Sequence, residues 1–197
     1  MKKIIDVRGL DCPKPVLETK KALEKGGFDK LEIIVDNKAA RDNVSRFLEK
    51  TGNKLIKINE LKGEFTIYAE PGIITNTGKE QESHKIAGKT IFIASDAIGT
   101  GSEELGKKLM KAFTFTLTEL QEPPKRLLFM NSGVFLCLHN SDSLPNLKIL
   151  ADRGVDILVC GTCLNFFGVN DQLAIGKVSN MYDIAGHLLA DAGVIKI

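Results

Sequence analysis

Along the first seventy residues the apolar positions change rhythm repeatedly, and each change marks an element. Ile4 to Val7 is a short apolar run that reads as a strand. From Val16 the spacing becomes helical, runs to about Lys25 and stops at Gly26-Gly27. Leu31 to Val35 is again a strand. Asn37 stands where a helix cap belongs, ahead of Ala40, Val44, Phe47 and Leu48 at helical spacing, and Gly52 fits the position just beyond the helix. Two strands follow, Leu55 to Asn59 and Glu64 to Glu70. In the second, Phe65, Ile67 and Ala69 alternate with Thr66, Tyr68 and Glu70, and Lys62-Gly63 predicts a hairpin. The order βαβαββ predicts a two-layer α/β sandwich over residues 1–70.

From Pro71 to Ala87 the periodicity vanishes into a polar run, Asn76 to Ser83, so residues 71–87 are expected to be an exposed, mobile linker. A second unit, residues 88–197, begins with Thr90 to Ala94, a near-continuous apolar run of the kind found in buried parallel strands. Ser95 to Ser102 is a loop leading to a helix with Leu105, Leu109, Phe113, Leu117 and Leu120 expected down its inner side, ended by Pro123-Pro124. Leu127 to Met130 and Asp156 to Cys160 read as strands, with a helix from Leu144 to Asp152 between them. A last helix, capped by Ser179 or Asn180, is expected to turn Met181, Ile184, Ala185, Leu188 and Leu189 inward, before a terminal strand from Val194 to Ile197. Strands alternating with helices predict a mostly parallel sheet covered on both faces.

The bulk numbers change this picture little. The 197 residues are 43% hydrophobic and 26% charged, an ordinary globular composition long enough for two small domains. No apolar run approaches the roughly 20 residues of a membrane span, and no signal core follows the N-terminal lysines, so the expected address is the cytoplasm. There, the four cysteines (Cys12, Cys137, Cys160 and Cys163) argue for free thiols, a metal or redox chemistry rather than a disulfide framework. Net charge is +2, with 15 basic and 12 acidic groups over residues 1–70 and 12 and 13 beyond. Neither half concentrates a basic stripe, so nucleic acid is not an expected partner.

The candidate chemistry starts at Leu10-Asp11-Cys12-Pro13-Lys14-Pro15, between the first strand and the first helix. Cys12 fits the cap and Pro13 the first helical position, where proline's fixed φ suits the helix and its missing N–H costs nothing. The unpaired N–H groups of that first turn are expected beside the sulfur, with the positive end of the helix dipole, favouring its anionic, nucleophilic form. Asp11 opposes that; Arg8 and Lys14 offset it. The stretch Gly9 to Val16 resembles the Cys-Pro-x-Pro signature of the TusA/SirA-like sulfur carriers, over roughly the first 70 residues. The resemblance implies that Cys12 carries a persulfide sulfur and hands it on. Pro13 and Pro15 would shape its surroundings, with Arg8, Lys14 and Arg41 holding the anion by charge.

In the second unit, Cys160-Gly161-Thr162-Cys163 reads as a tight turn just after a strand, at the edge of a parallel sheet where ligands bind. Its thiols admit three readings: a redox disulfide, half of a zinc site completed by Cys137 and His139, or acceptors of a sulfur atom. Gly99-Thr100-Gly101-Ser102 departs from a phosphate loop, since Glu103 and Glu104 follow it, and reads as a capped turn. The block Ile157 to Gly168 resembles the DsrE-like sulfur-relay fold, a three-layer flavodoxin-like α/β domain whose active cysteine would here be Cys160. Both units in one chain resemble the YedF-like group, which is associated with selenium metabolism.

The expected function is therefore a sulfur or selenium relay, a sulfurtransferase-like persulfide carrier without a cofactor. Cys12 is its carrier, Cys160 with Cys163 a second station, and sulfur-donor and sulfur-acceptor proteins are its partners. The faces that the second unit must cover make it a candidate for self-association. Two other classes stay open: a non-catalytic regulator or scaffold binding protein or RNA, and a CxxC redox or zinc module.

Overall fold

The structure is a computed structural model that describes residues 1–72, 88–191 and 193–197. It divides into two compact units, Met1–Glu80 and Gln81–Ile197. The linker expected over 71–87 lies, from residue 73 onward, outside the described residues.

The first unit follows the expected order: β1 (Lys2–Asp6), α1 (Lys14–Lys25), β2 (Lys30–Val35), α2 (Lys38–Lys50), β3 (Lys54–Leu61) and β4 (Glu64–Glu70). The four strands form one sheet in the order β1-β2-β4-β3, with β1 and β2 parallel and the other pairs antiparallel. Alternation decides which face is covered. Leu31, Ile33, Val35, Phe65, Ile67 and Ala69 point to the helices and join Ala40, Val44 and Leu48 of α2 in one core. Asn37 caps α2 by accepting from the Ala40 N–H at 2.8 Å. The β3–β4 hairpin turns through Lys62 and Gly63, both at positive φ. The sheet's other face carries charge: Lys2 of β1 pairs with Glu32 of β2 at 2.7 Å, and the Lys57 ammonium lies 4.7 Å from the centre of the Tyr68 ring.

The second unit holds β5 (Thr90–Ile93), α3 (Glu103–Glu119), β6 (Arg126–Phe129), α4 (Leu144–Asp152), β7 (Asp156–Cys160), α5 (Gly161–Phe167), β8 (Lys177–Ser179), α6 (Met181–Ala190) and β9 (Val194–Lys196). All five strands are parallel, in the order β8-β7-β6-β5-β9. Ile91, Ile93, Leu127, Phe129, Ile157 and Val159 pack on one face with Met110 and Leu117 of α3 and Leu147 and Leu150 of α4. Leu128, Leu158 and Cys160 pack on the other with Ile184 of α6. This is the three-layer α/β arrangement that the strand–helix alternation predicts.

Two helices keep part of their expected inner faces, Phe113 and Leu117 of α3 with Leu120 at its end and Ile184 and Leu188 of α6, and turn the rest outward. In α3 the buried residues are Gly106, Met110, Thr114 and Leu117, while Leu105 and Leu109 are 56% and 44% exposed. The rotation follows a close approach at Gly106: its carbonyl accepts the Ile98 N–H at 3.0 Å, and a Cβ there would stand 2.9 Å from that of Ala97. In α6 only Ile184 is fully buried, with Leu188 packed beside it, while Met181 and Leu189 are exposed. Ser102 caps α3 through the Leu105 N–H, and Glu103 and Glu104 pair with Lys107 and Lys108, so the glycine-rich segment is the expected capped turn.

Candidate functional site

The segment from β1 to α1 is pinned at several points before it reaches Cys12. Val7 donates its N–H to the Ile34 carbonyl at 3.0 Å. Gly9, at φ +70, donates to the Asp36 carboxylate at 2.6 Å, and Leu10 packs against the core. That N–H, with the Asn37 amide, holds the Asp36 carboxyl below the usual carboxylate range. The Arg8 guanidinium bridges Asp6 and Glu64, and the Asp6 carboxyl is lowered to about 2 by those bonds. Cys12 emerges exposed from this anchored loop.

Its place on the helix is one residue earlier than expected. Pro13 is the cap, Lys14 the first helical residue and Pro15 the second, so Cys12 lies just outside α1, joined to Pro13 by a cis peptide bond. The expected array of free amides beside the sulfur is absent as well. Pro13 and Pro15 have no N–H, the Lys14 N–H goes to the Asp11 carbonyl at 2.9 Å, and those of Val16 and Leu17 go to Pro13 at 3.1 and 3.2 Å. Among the described residues the hydrogen-bond donor that reaches the sulfur is the Asn43 side-chain amide, 4.0 Å away on α2. Asn43 was not legible as a site residue; its one signal is an amide inside a helix, where asparagine is a poor former.

The three cations expected around Cys12 are distributed differently. Arg8 is committed to Asp6 and Glu64. Arg41 pairs with Asp42 at 2.7 Å and lies 4.8 Å above the Phe65 ring. Lys14 is exposed in the first turn of α1.

The second set of thiols sits at the carboxyl end of the parallel sheet. Cys160 ends β7 and is 1% exposed, packed among Leu128, Leu158 and Ile184. Cys163 is one turn into α5, a helix where the sequence pattern predicts a turn. It is half-buried, and its sulfur accepts the Asn131 N–H at 3.1 Å. Asn131 follows β6 with φ +49, a left-handed conformation that asparagine tolerates better than most residues. Burial pushes the Cys163 thiol up, the Asn131 N–H pulls the other way, and the neighbouring Cys160 thiol adds to the rise.

The zinc alternative is overturned by the sheet itself. Cys137 lies fully buried in the core on the α3–α4 face, where burial pushes its thiol up, while Cys160 faces α6 on the opposite side. His139 is exposed beyond Cys137. Among the described residues no group of three His, Cys, Asp or Glu is arranged to hold a metal. Nor is any described helix long and apolar enough to cross a membrane.

Fold and thiols together define a two-part α/β protein, with an exposed cysteine at a helix entrance and a cysteine pair at a parallel sheet's carboxyl edge. The chain belongs to the DsrE/DsrF-like family through residues 88–197 and to the family of the sulfurtransferase TusA through residues 3–70. A protein of Methanocaldococcus jannaschii described as a candidate sulfur carrier is 44% identical over 68 residues, which are 34% of this chain and 89% of that protein. A similarly described protein of Thermotoga maritima is 36% identical over 69 residues, 34% of this chain and 86% of its own length. Among solved structures, the YchN protein of Escherichia coli matches 55% of this chain and 98% of its own at 22% identity and a TM-score of 0.45. A SirA-like protein of Desulfitobacterium hafniense matches 36% and 99% at 30% identity and a TM-score of 0.33.

Proposed function

We propose that this chain is a cytoplasmic sulfur carrier that takes a sulfane sulfur onto Cys12 as a persulfide and delivers it to the thiol of an acceptor protein. The observation that carries this reading is the exposed Cys12 sulfur on a loop held rigid by Asp36 and the Arg8 ion pairs. Exposure is what a carrier needs, because both loading and delivery are displacements between sulfurs of two different proteins. The loop's fixed shape presents the sulfur to each partner in the same pose, with the Asn43 amide as a hydrogen-bond donor on its α2 side. The candidate-carrier descriptions of the archaeal and bacterial relatives support it.

The second unit supplies another thiol station. Of its two candidate cysteines Cys160 is buried and Cys163 half-buried, which supports Cys163 as the one that meets a partner. Joining both stations covalently raises the concentration at which one meets the other to roughly millimolar. The same displacement chemistry admits selenium in place of sulfur, and the mass of the adduct distinguishes them.

The test is delivery. Chain treated with a protein persulfide donor and freed of excess donor is mixed with a reduced acceptor thiol. The intact chain passes on sulfur, and the Cys12→Ala chain passes on roughly tenfold less or worse. Equal delivery by both chains contradicts the proposal.

A further inference from the structure

Cys160 raises a question that a relay does not answer. At 1% exposure, under Leu128, Leu158 and Ile184, it cannot meet the cysteine of another protein. Yet Cys163, half-open to solvent, packs against the same cluster that holds Cys160. A thiol with no external partner and one reactive neighbour has one displacement open to it, on that neighbour's sulfur. The spacing suits this. Cys160 is the residue before α5 and Cys163 the third within it, a Cys-X-X-Cys separation at which a disulfide closes without unwinding the helix.

We infer that the Cys160–Cys163 pair is a reductive unloading site, which receives sulfane sulfur on Cys163 and discharges it as hydrosulfide by forming the Cys160–Cys163 disulfide. The inference rests on the sulfur-carrier reading above and deepens it by naming the product. The donor's outer sulfur first forms a bond to the Cys163 Sγ, and the donor leaves as a thiol. The Cys160 sulfur, its proton lost to solvent, then attacks the Cys163 Sγ. As that S–S bond forms, the bond to the outer sulfur breaks, and its electron pair departs with the outer sulfur as hydrosulfide. The two cysteines together lose two electrons, and the sulfane sulfur gains them. The Asn131 N–H, 3.1 Å from the Cys163 Sγ, holds that sulfur in place through the exchange. A dithiol reductant, attacking at the exposed Cys163 end, restores the pair for the next turn.

The alternative fate of a persulfide on Cys163 is transfer to an external thiol. Cys160 competes with that acceptor from within the same fold, at an effective concentration no diffusing thiol matches. Onward transfer therefore belongs to Cys12, and release to this pair.

The experiment uses the full-length chain in a Cys12→Ala background, so that the exposed carrier thiol contributes nothing. The reduced protein is treated with a low-molecular-weight alkyl persulfide and desalted at once. Hydrosulfide is then measured together with the mass of each cysteine peptide. With Cys160 and Cys163 present, the expected result is about one hydrosulfide per chain and a protein two hydrogen atoms lighter, cross-linked between the two. With Cys160→Ala added, hydrosulfide falls at least tenfold and the Cys163 peptide stays one sulfur atom heavier. With Cys163→Ala instead, Cys160 remains unmodified, because nothing reaches it.

A pair that keeps an intact persulfide on Cys163, release undiminished by Cys160→Ala, or loading of Cys160 in the Cys163→Ala chain each overturns the inference. So does a Cys163 that never loads. Should Cys160→Ala disturb folding, Cys160→Ser provides a second chain of the same size, with the same outcomes required. The parent chain, run in parallel, reports sulfur on the Cys12 peptide separately, so failure of the carrier reading and failure of the unloading pair give different results.

Discussion

A few atoms around two sulfurs decide what each can do. At Cys12 the Cys-Pro-x-Pro pattern works by subtraction: two prolines remove N–H groups from the first turn of α1, and Asp11 and Pro13 take up the rest. The sulfur is left with Asn43. Replacing Asn43 with Leu removes that donor and slows alkylation of Cys12 by about threefold, the size expected of one weak hydrogen bond. Stopped-flow labelling reads it; an unchanged rate removes Asn43 from the site. The four thiols also sort by access. Brief treatment of the native chain with iodoacetamide labels Cys12 and Cys163, whereas Cys137 and Cys160 label only after unfolding. Because burial raises the Cys163 thiol, its thiolate fraction is still growing at a pH where an ordinary thiol near 8.5 has levelled off. Its labelling rate climbs correspondingly further with pH.

At the scale of elements, caps and close approaches govern how well the chain could be read. The Asn37 cap, the Lys62-Gly63 hairpin and the alternation of β4 are set by neighbouring residues, so each was legible. Asn37→Ala tests the first of these and costs the first unit about 1 kcal/mol in denaturant unfolding. A midpoint that does not move puts the cap's contribution elsewhere. The misread elements depend on neighbours outside their own stretch of sequence. The turn of α3 follows from Gly106 meeting Ala97 and Ile98, so that Leu105 and Leu109 face solvent despite a leucine spacing that suggested a core stripe. Gly106→Ala introduces a Cβ into that contact and destabilises the second unit by roughly 2 kcal/mol, although alanine is the better helix former. Helix α5 was hidden because Gly161-Thr162 reads as a turn in isolation; β7 and the αL cap at Gly168 are what allow it. Cys12 was legible at the entrance of α1, one residue from its observed place, whereas Asn43 lies 31 residues away and its one signal is an amide inside a helix.

Among the described residues of the whole molecule, charge also anchors the fold. In the second unit Arg126, itself 10% exposed, bridges Asp156 and Asp191, and Lys125 and Thr90 complete the set around Asp191. Lys125 and Thr90 hold the Asp191 carboxyl down to about 2. Since a carboxyl in the unfolded chain titrates near 3.9, this group contributes stability that is fully present above about pH 5 and lost as pH falls toward 2. Asp191→Asn costs roughly 3 kcal/mol at neutral pH and flattens the acid limb of the second unit's stability profile. A variant that keeps the parent's acid dependence assigns that limb to other carboxylates.

In the proposed relay each unit carries a thiol station, and Cys12 is the central one. Peptide-resolved mass spectrometry of the intact chain, after loading from a protein persulfide and removal of donor, addresses it most directly. One additional sulfur on the peptide bearing Cys12, removed when a reduced acceptor thiol is added, is the predicted result. A Cys12 peptide of unchanged mass, under conditions where Cys163 loads, contradicts it.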